Sequence, residues 1–257
     1  MIRVGHYTCL IETASIDRNP YTNIALEEAI LLSVKKGILP SPLLRVWINP
    51  PIVVLGRFSN IAKDVNLQVA EEYDIPITRR ISGGGTVFHD MGNLNISIYH
   101  KSQGFTSVSN IMNEGLSFLS NLLMSMGFSP TVKNGNDIIV DGYKISGSAS
   151  YSDKSGWLYH GTMLVSTDID LMRRILVFPN DPSMGGRIDP VKYNPGNLSW
   201  IDSRITIERV IEIIRMYCQS NIALSSDNLS FARKLARCKY MSDRWLFNNI
   251  SVNCKNS

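Results

Sequence analysis

Cysteine is scarce and scattered. The chain has four cysteines in 257 residues, Cys9, Cys218, Cys238 and Cys254, with no paired spacing. That pattern points to neither a zinc site nor a disulfide framework. No stretch approaches the ~18 consecutive apolar residues that a membrane-spanning helix needs. The opening MIRVGHYTCLIE lacks the apolar run and small-residue cleavage site of a signal peptide. The reading that follows is an intracellular, cytoplasmic protein. Charge of one sign is also in short supply, since 26 Lys and Arg against 22 Asp and Glu leave only +4. So mild a balance, with no basic run, permits an acidic partner and argues against nucleic acid. Internal repeats and low-complexity segments are missing too. What is present is 44% hydrophobic and 19% charged, the mix of a globular chain able to bury a full core. Length alone leaves one large domain or two small ones open.

The densest local signal is RRISGGGTVFHDMGNLN, from Arg79 to Asn95. Three consecutive glycines lose much backbone entropy on ordering, so a folded chain carries them for a local reason. Either φ must be positive, or backbone N–H groups must approach something closely. Successive free N–H groups form a concavity for anions, and the guanidinium groups of Arg79 and Arg80 match phosphate or carboxylate. A phosphate or carboxylate cradle between strands is one reading. A glycine turn beside a surface ion-pair patch is the other, and composition weighs them equally. A P-loop would need Gly followed by Lys and Ser or Thr, which is missing. A dinucleotide loop would open a helix, whereas Thr86-Val87-Phe88 favours a strand.

Elsewhere the pattern alternates strands and helices. A first strand is expected over residues 4–12. A helix follows the turn at 19–23, with Thr22 or Asn23 as its cap and Glu27 and Glu28 in its first turn. Strands at 43–47 and 52–55 read as a hairpin around Asn49-Pro50-Pro51, followed by a small-plus-basic corner at Gly56-Arg57. A short helix at 66–73 and a strand at 76–79 lead into the glycine loop. Residues 94–99 alternate as a half-buried strand, and 107–126 is the longest helix. Asp141-Gly142 between two apolar runs is a strong hairpin signal. A two-residue loop there pairs Val140 with Tyr143, Ile139 with Lys144, Ile138 with Ile145 and Asp137 with Ser146. That register gives Asp137, Lys144 and Ser146 one polar face, on which Lys144 is held beside a carboxylate. A surface Lys–Asp pair worth little is the competing reading. Gly147-Ser148-Ala149 is small enough for close ligand approach. A strand at 159–165 starts near His160, and a helix covers 169–177. Residues 183–199 read as a long irregular loop of the functional or mobile kind. An amphipathic helix includes Ile207 to Cys218, and a last short helix covers 231–238.

The run from Arg79 to Asn95 closely resembles the lipoate–protein ligase A signature, RRxSGGGxVxHDxGNLN. The resemblance extends over nearly the whole chain. Asn134-Gly135-Asn136-Asp137 with Lys144-Ile145-Ser146-Gly147-Ser148-Ala149 is similar to the family's G-R-N-D and K-x-S-G-S-A block, although Gly135 stands where the family has arginine. His160-Gly161-Thr162-Met163-Leu164-Val165 resembles its H-G-T-L-L-V strand, and Asn23 to Glu28 its N-x-A-x-E-E helix start. The resemblance implies a mixed-sheet α/β catalytic fold, also found in biotin–protein ligases and class II aminoacyl-tRNA synthetases, over residues 1–247, with a polar tail at 248–257. It implies activation of lipoate with ATP to lipoyl-AMP, then transfer to a lysine of a lipoyl-accepting domain. Alternatives are a transferase using preformed lipoyl-AMP and an octanoyl or lipoyl transferase. No cysteine lies in a motif strand, which counts against thiol catalysis.

By the same resemblance Lys144 is the catalytic residue. ATP or lipoyl-AMP would be held by Arg80, Gly83, Gly84, Gly85, Thr86, Val87, Phe88, Asn93, Asp137 and Lys144. Lipoate would be held by Lys144, Ser82, Gly147, Ser148, His160 and Gly161. Ile139 and residues near Val87 are candidates for a slot around the dithiolane tail, and Gly56-Arg57 would lie by the pocket. No metal ligands are evident, so Mg²⁺ would arrive with ATP. The acceptors implied are lipoyl domains of 2-oxoacid dehydrogenase complexes or the glycine cleavage H protein. Many members carry a further small domain, so a separate accessory subunit is the partner expected in its place.

Overall fold

The computed structural model describes residues 6–177, 194–250 and 254. An eight-stranded sheet contains β1 (Tyr7–Ile11), β2 (Leu43–Ile48), β6 (Asn93–Lys101), β7 (Thr131–Lys133), β8 (Asp137–Val140), β9 (Tyr143–Asp153), β10 (Gly156–Leu164) and β11 (Cys218–Asn221). Its order is β11-β1-β2-β6-β10-β9-β8-β7. β1 runs parallel to both its neighbours, and the pairings from β2 across to β7 are antiparallel. A three-stranded sheet, β4-β3-β5, holds β3 (Ile52–Leu55), β4 (Ile77–Arg79) and β5 (Val87–His89). The architecture is the mixed α/β fold that the family resemblance implies.

The expected hairpin between β2 and β3 does not form, because the two strands belong to different sheets. Pro50 and Pro51 lack the N–H groups that a tight antiparallel ladder would use, and the chain crosses from one sheet to the other there.

Helix α1 (Pro20–Lys35) begins earlier than its apolar spacing predicts. The Asn19 side chain caps it by accepting the Tyr21 N–H at 3.0 Å, and Pro20 takes the first position, where no N–H is needed. Glu27 and Glu28 therefore lie mid-helix and not in the first turn. Glu27 is buried.

Two apolar layers sandwich the large sheet. On one face, Leu94, Ile96 and Ile98 of β6 pack under α4 (Val108–Ser125) and α7 (Ile207–Arg215). On the other, Leu43, Trp47 and Tyr99 pack under α1 and α8 (Ser226–Leu235). β6 is thus buried on both faces and is not the half-exposed strand its alternation implies, since Asn95 and Ser97 turn towards protein and not water. A third cluster joins Val53, Leu55 and Phe88 of the small sheet to α3 (Leu67–Glu72) and α5 (Ile169–Ile175). Between these elements lie the short helices α2 (Ile61–Asp64) and α6 (Leu198–Ile201).

The cysteines correct the sequence reading most plainly. Cys9 is bonded to Cys218, 209 residues away, and Cys238 to Cys254. Parallel pairing of β1 with β11 brings the first pair together, and no local spacing could announce it. The last helix also departs from expectation. α8 starts at Ser226, continues as a π-helical turn over Ala236–Tyr240, and is followed by α9 (Asp243–Asn248). The wide turn lays Lys239 and Tyr240 on Glu28 of α1, which accepts from both at 2.7 Å. Most of the irregular loop expected at 183–199, and all but a few residues of the tail at 248–257, lie outside the described residues.

Candidate active site

One cavity of about 450 Å³ opens between the two sheets. Its polar rim includes Lys63 and Asp64 of α2, Gly85 and Thr86 of the glycine loop, and Asn136, Asp137, Lys144 and Gly147 of the β8–β9 hairpin. Its inner end is walled by Ile24, Glu27, Trp47, Val54, Val87, His89, Asn95 and His160.

The hairpin follows the sequence register for only two pairs. Val140 opposes Tyr143 and Ile139 opposes Lys144, but a bulge then sets Ile138 against Ser146 and Asp137 against Gly147. An extra residue in one strand flips the alternation beyond it. Ser146 is therefore buried off the cavity wall, and Gly147 takes the place it was expected to hold on the polar face. This exchange has a chemical use. A Cβ at position 147 would sit 3.3 Å from Lys144 Nζ, so the missing side chain leaves the ammonium room to reach Asp137 Oδ1 at 2.8 Å. The Asp137 side chain is fully buried and that of Lys144 is 22% exposed. Asn134, in left-handed backbone with Gly135 at the β7–β8 turn, donates to the other oxygen of Asp137 at 3.1 Å. The pair is fixed, so the weak surface ion pair considered above does not describe it.

The glycine loop is built around Arg80, which is 6% exposed. Its Nη2 donates to the carbonyls of Gly83 and Gly85 at 2.6 and 2.8 Å, its Nη1 to Val54 at 3.2 Å, and its Nε to Ser82 Oγ at 2.9 Å. Burial pushes the guanidinium down to about 10, with Glu27 pulling the other way. Peptide planarity sets each C=O opposite the next N–H, so the N–H groups of Gly84 and Thr86 are turned away from Arg80. Gly84 has φ +84°, and a Cβ there would lie 2.9 Å from Arg80 Nη2. Arg80 thus holds the loop in shape more than it offers a free fork to a ligand.

Behind the loop runs a line of buried hydrogen bonds. Ser82 Oγ lies 2.6 Å from His160 Nε2, and His160 Nδ1 lies 2.9 Å from Glu27 Oε2. Ser97 donates to Glu27 Oε1 at 2.6 Å and accepts from Trp47 Nε1 at 3.0 Å. Burial alone would push the Glu27 carboxyl up, but His160, Ser97 and Arg45 outweigh it and hold it at about 2. His89 stands edge-on to Trp47 with ring centroids 5.7 Å apart. Burial pushes His89 down to about 3, and its Nδ1 has no hydrogen-bond partner among the described residues.

Of the residues singled out in the sequence, Arg80, Gly85, Thr86, Val87, Asp137, Lys144, Gly147, Ser148, His160 and Gly161 line the cavity. The others stand behind its wall. Ser82 is 1% exposed, between Arg80 and His160. Gly83 gives its carbonyl to Arg80, and Gly84 shapes the turn. Phe88 packs in the third cluster, which leaves only its backbone near the loop. Asn93 is buried and donates to Asn95 at 3.0 Å. Ile139, a candidate for the apolar slot, is not on the wall, whereas Val87 is. Gly56 lies under the loop, where a Cβ would meet the Gly84 carbonyl at 1.9 Å. Arg57 covers the Trp245 ring at 5.3 Å. Sequence reasoning missed Glu27, Trp47, His89 and Asn95 as site residues. Three of the four stood inside motifs already quoted, Glu27 in the Asn23 to Glu28 helix start and His89 and Asn95 in the run from Arg79 to Asn95, and Trp47 alone carried no such signal.

A fold that sets a fixed lysine and a glycine loop around a deep, partly apolar cavity defines a catalytic domain for a small acyl or phosphate-bearing ligand. The chain belongs to the lipoyl protein ligase A/B catalytic domain family, whose pattern residues 19–219 match. A protein of Aeropyrum pernix named as a lipoate-protein ligase A is 38% identical over 193 residues, which are 75% of this chain and 70% of that one. The structure of the Thermoplasma acidophilum bi-partite lipoate protein ligase superposes with a TM-score of 0.80 at 25% identity, covering 98% of this chain and 99% of that one. A lipoate-protein ligase A bound with ATP gives 0.76 at 26% identity, covering 93% and 97%.

Proposed function

We propose that the chain is a lipoate–protein ligase working through the cavity just described. The observation that carries this reading is the cavity itself, which joins the apolar side chains of Ile24, Trp47, Val54 and Val87 to a rim bearing Lys144. Lipoate enters with its dithiolane tail among Ile24, Trp47, Val54 and Val87, and its carboxylate near Lys144. ATP lies across the glycine loop. Mg²⁺ comes in as part of the nucleotide substrate, because Asp137 and Asp64 are committed to Lys144 and to Thr86.

In the first step a lipoate carboxylate oxygen attacks the α-phosphorus of ATP. A P–O bond forms, the bond to the β-phosphate bridging oxygen breaks, and pyrophosphate leaves with that electron pair. Lys144 offsets charge on the carboxylate and α-phosphate oxygens, and the N–H groups of the loop give donors fixed before reaction begins. In the second step the neutral amine of an acceptor lysine attacks the carbonyl of lipoyl-AMP. The amide forms, AMP leaves, and the amine proton passes to solvent or to the departing phosphate. Lys144 serves this step too, as a point charge beside the developing oxyanion.

The acceptors we infer are lipoyl domains of 2-oxoacid dehydrogenase complexes or the glycine cleavage H protein, met in the cytoplasm, where ATP is available. The Thermoplasma relative is described as bi-partite and studied with its E2 lipoyl domain. By analogy we assign this chain, over residues 1–247, the catalytic part, with a separate accessory subunit assisting adenylation. Thiol chemistry of an acyl transferase has no support, because the four cysteines are paired in disulfides and none lines the cavity. The test is lipoylation of a lipoyl domain, read as a mass shift, from lipoate plus ATP and from lipoyl-AMP in parallel. Product from lipoyl-AMP, with little from ATP until the partner is added, is the expected result. Failure of both reactions with the partner present would refute the assignment.

A further inference from the structure

Arg79 is the neighbour of Arg80 in sequence, yet its side chain serves another part of the molecule. It is 3% exposed, and its guanidinium donates to backbone carbonyls of two segments far apart in the chain. Nε and Nη2 reach Leu246 of α9 at 3.0 and 2.6 Å, while Nη1 reaches Gly56, Arg57 and Ser59 at 2.8, 3.0 and 2.9 Å. Bonds also run the other way. Trp245 Nε1 donates to the Arg79 carbonyl at 2.6 Å, and Thr78 Oγ1 to the Tyr240 carbonyl at 2.8 Å. The corner after β3 then carries the contact to the glycine loop. The Arg57 N–H donates to the Ser82 carbonyl at 2.8 Å, and Ser59 Oγ to the Gly84 carbonyl at 3.4 Å.

We propose that Arg79 and Trp245 form a clasp through which residues 236–248 set the position of the glycine loop. Both are positioning residues for the nucleotide end of the cavity. The acyl end stands on Ile24, Trp47 and His160 of α1, β2 and β10 and on Val54 and Val87 of the small sheet, and none of these five residues makes one of the clasp's bonds. The proposal rests on the ligase reading and adds that helix α9 governs the adenylate while leaving the acyl chain alone. A ligand-selective effect separates this role from general support of the fold, which would weaken both ends together.

Two variants test the clasp. Trp245→Phe keeps a ring beneath Arg57 and Lys239 and removes the Nε1–H donor. Arg79→Lys keeps the charge but cannot span four carbonyls. Calorimetry measures two ligands on each protein: lipoate alone, and the non-hydrolysable sulfamoyl analogue of lipoyl-AMP. The expected result is lipoate affinity within about twofold of the parent and analogue affinity weaker by about tenfold. Equal weakening of both ligands, or no weakening of the analogue, overturns the clasp. If Arg79→Lys does not fold, Trp245→Phe alone decides. Should the parent chain bind neither ligand, the ligase reading falls, and the clasp falls with it.

Discussion

The two rims of the cavity are held by different means. On one side, the β8–β9 hairpin is fixed by strand pairing and a bulge, and its chemistry rests on one ion pair, Lys144 with Asp137. On the other, the glycine loop makes little ladder of its own and is shaped by Arg80 donating to its carbonyls. A ladder tolerates side-chain change but not register change. A loop wrapped on one guanidinium depends on that residue and on having no Cβ in the way. The hairpin should therefore fail chemically when altered, and the loop should fail geometrically.

The largest expected effect is at Lys144. Lys144→Ala should lower lipoyl transfer by at least about a hundredfold, the usual cost of losing one preorganised donor. It also leaves a fully buried carboxylate unpaired, so stability should drop by about 3 kcal/mol. Asp137→Asn combined with Lys144→Met should recover most of that stability without recovering transfer. Thermal melting and mass-shift assays on the same samples separate the two losses. An active Lys144→Ala enzyme would break the comparison on the hairpin side.

Next is Gly84→Val, which forces a β-branched residue to φ +84° against Arg80 Nη2. We expect acyl-adenylate binding to weaken by about tenfold or more, with about 1–2 kcal/mol of backbone strain. Gly85→Ala meets open space on the same loop and should be milder. Equal behaviour of the two variants would contradict a loop wrapped on Arg80.

A smaller effect concerns pH. His89 is held neutral by burial, down from 6.5 to about 3, so in that interval the unfolded chain binds the extra proton. Glu27 is held at about 2 against 4.5, with the same sign. Stability from both is complete above pH 6.5 and is lost as pH falls, first through the His89 interval and then through that of Glu27. His89→Gln should flatten the upper part of the decline, between pH 6.5 and about 4.5, in a melting series.

The smallest effect expected on catalysis comes from loss of one disulfide. Cys9–Cys218 closes a loop of about 209 residues, and chain entropy assigns such a link up to about 5 kcal/mol. Opening this one link by Cys9→Ala with Cys218→Ala should lower the melting temperature while leaving lipoyl transfer unchanged below it, because neither cysteine borders the cavity or lies in residues 236–248.

How much of this was legible beforehand depends on sequence distance. The glycine loop, the Asp141-Gly142 turn and the Lys144–Asp137 pairing rest on neighbours within about ten residues, and the sequence carried them. Glu27, Trp47, His89 and Asn95 come from four separate elements, and only the packing of α1 on β2 and β6 makes them one wall. The bulge at Ile145 was not legible either, because alternation by itself offers no signal for an extra residue. The division of work between Arg79 and Arg80 was hidden for the same reason, since Leu246 lies 167 residues from Arg79.

The most direct test of the account is transfer from preformed lipoyl-AMP to a purified lipoyl domain, followed by intact mass. It bypasses any partner needed for adenylation and interrogates the cavity alone. The account predicts one added lipoyl group per domain with the parent chain and none over the same time with Lys144→Ala. Equal product from both proteins would contradict it.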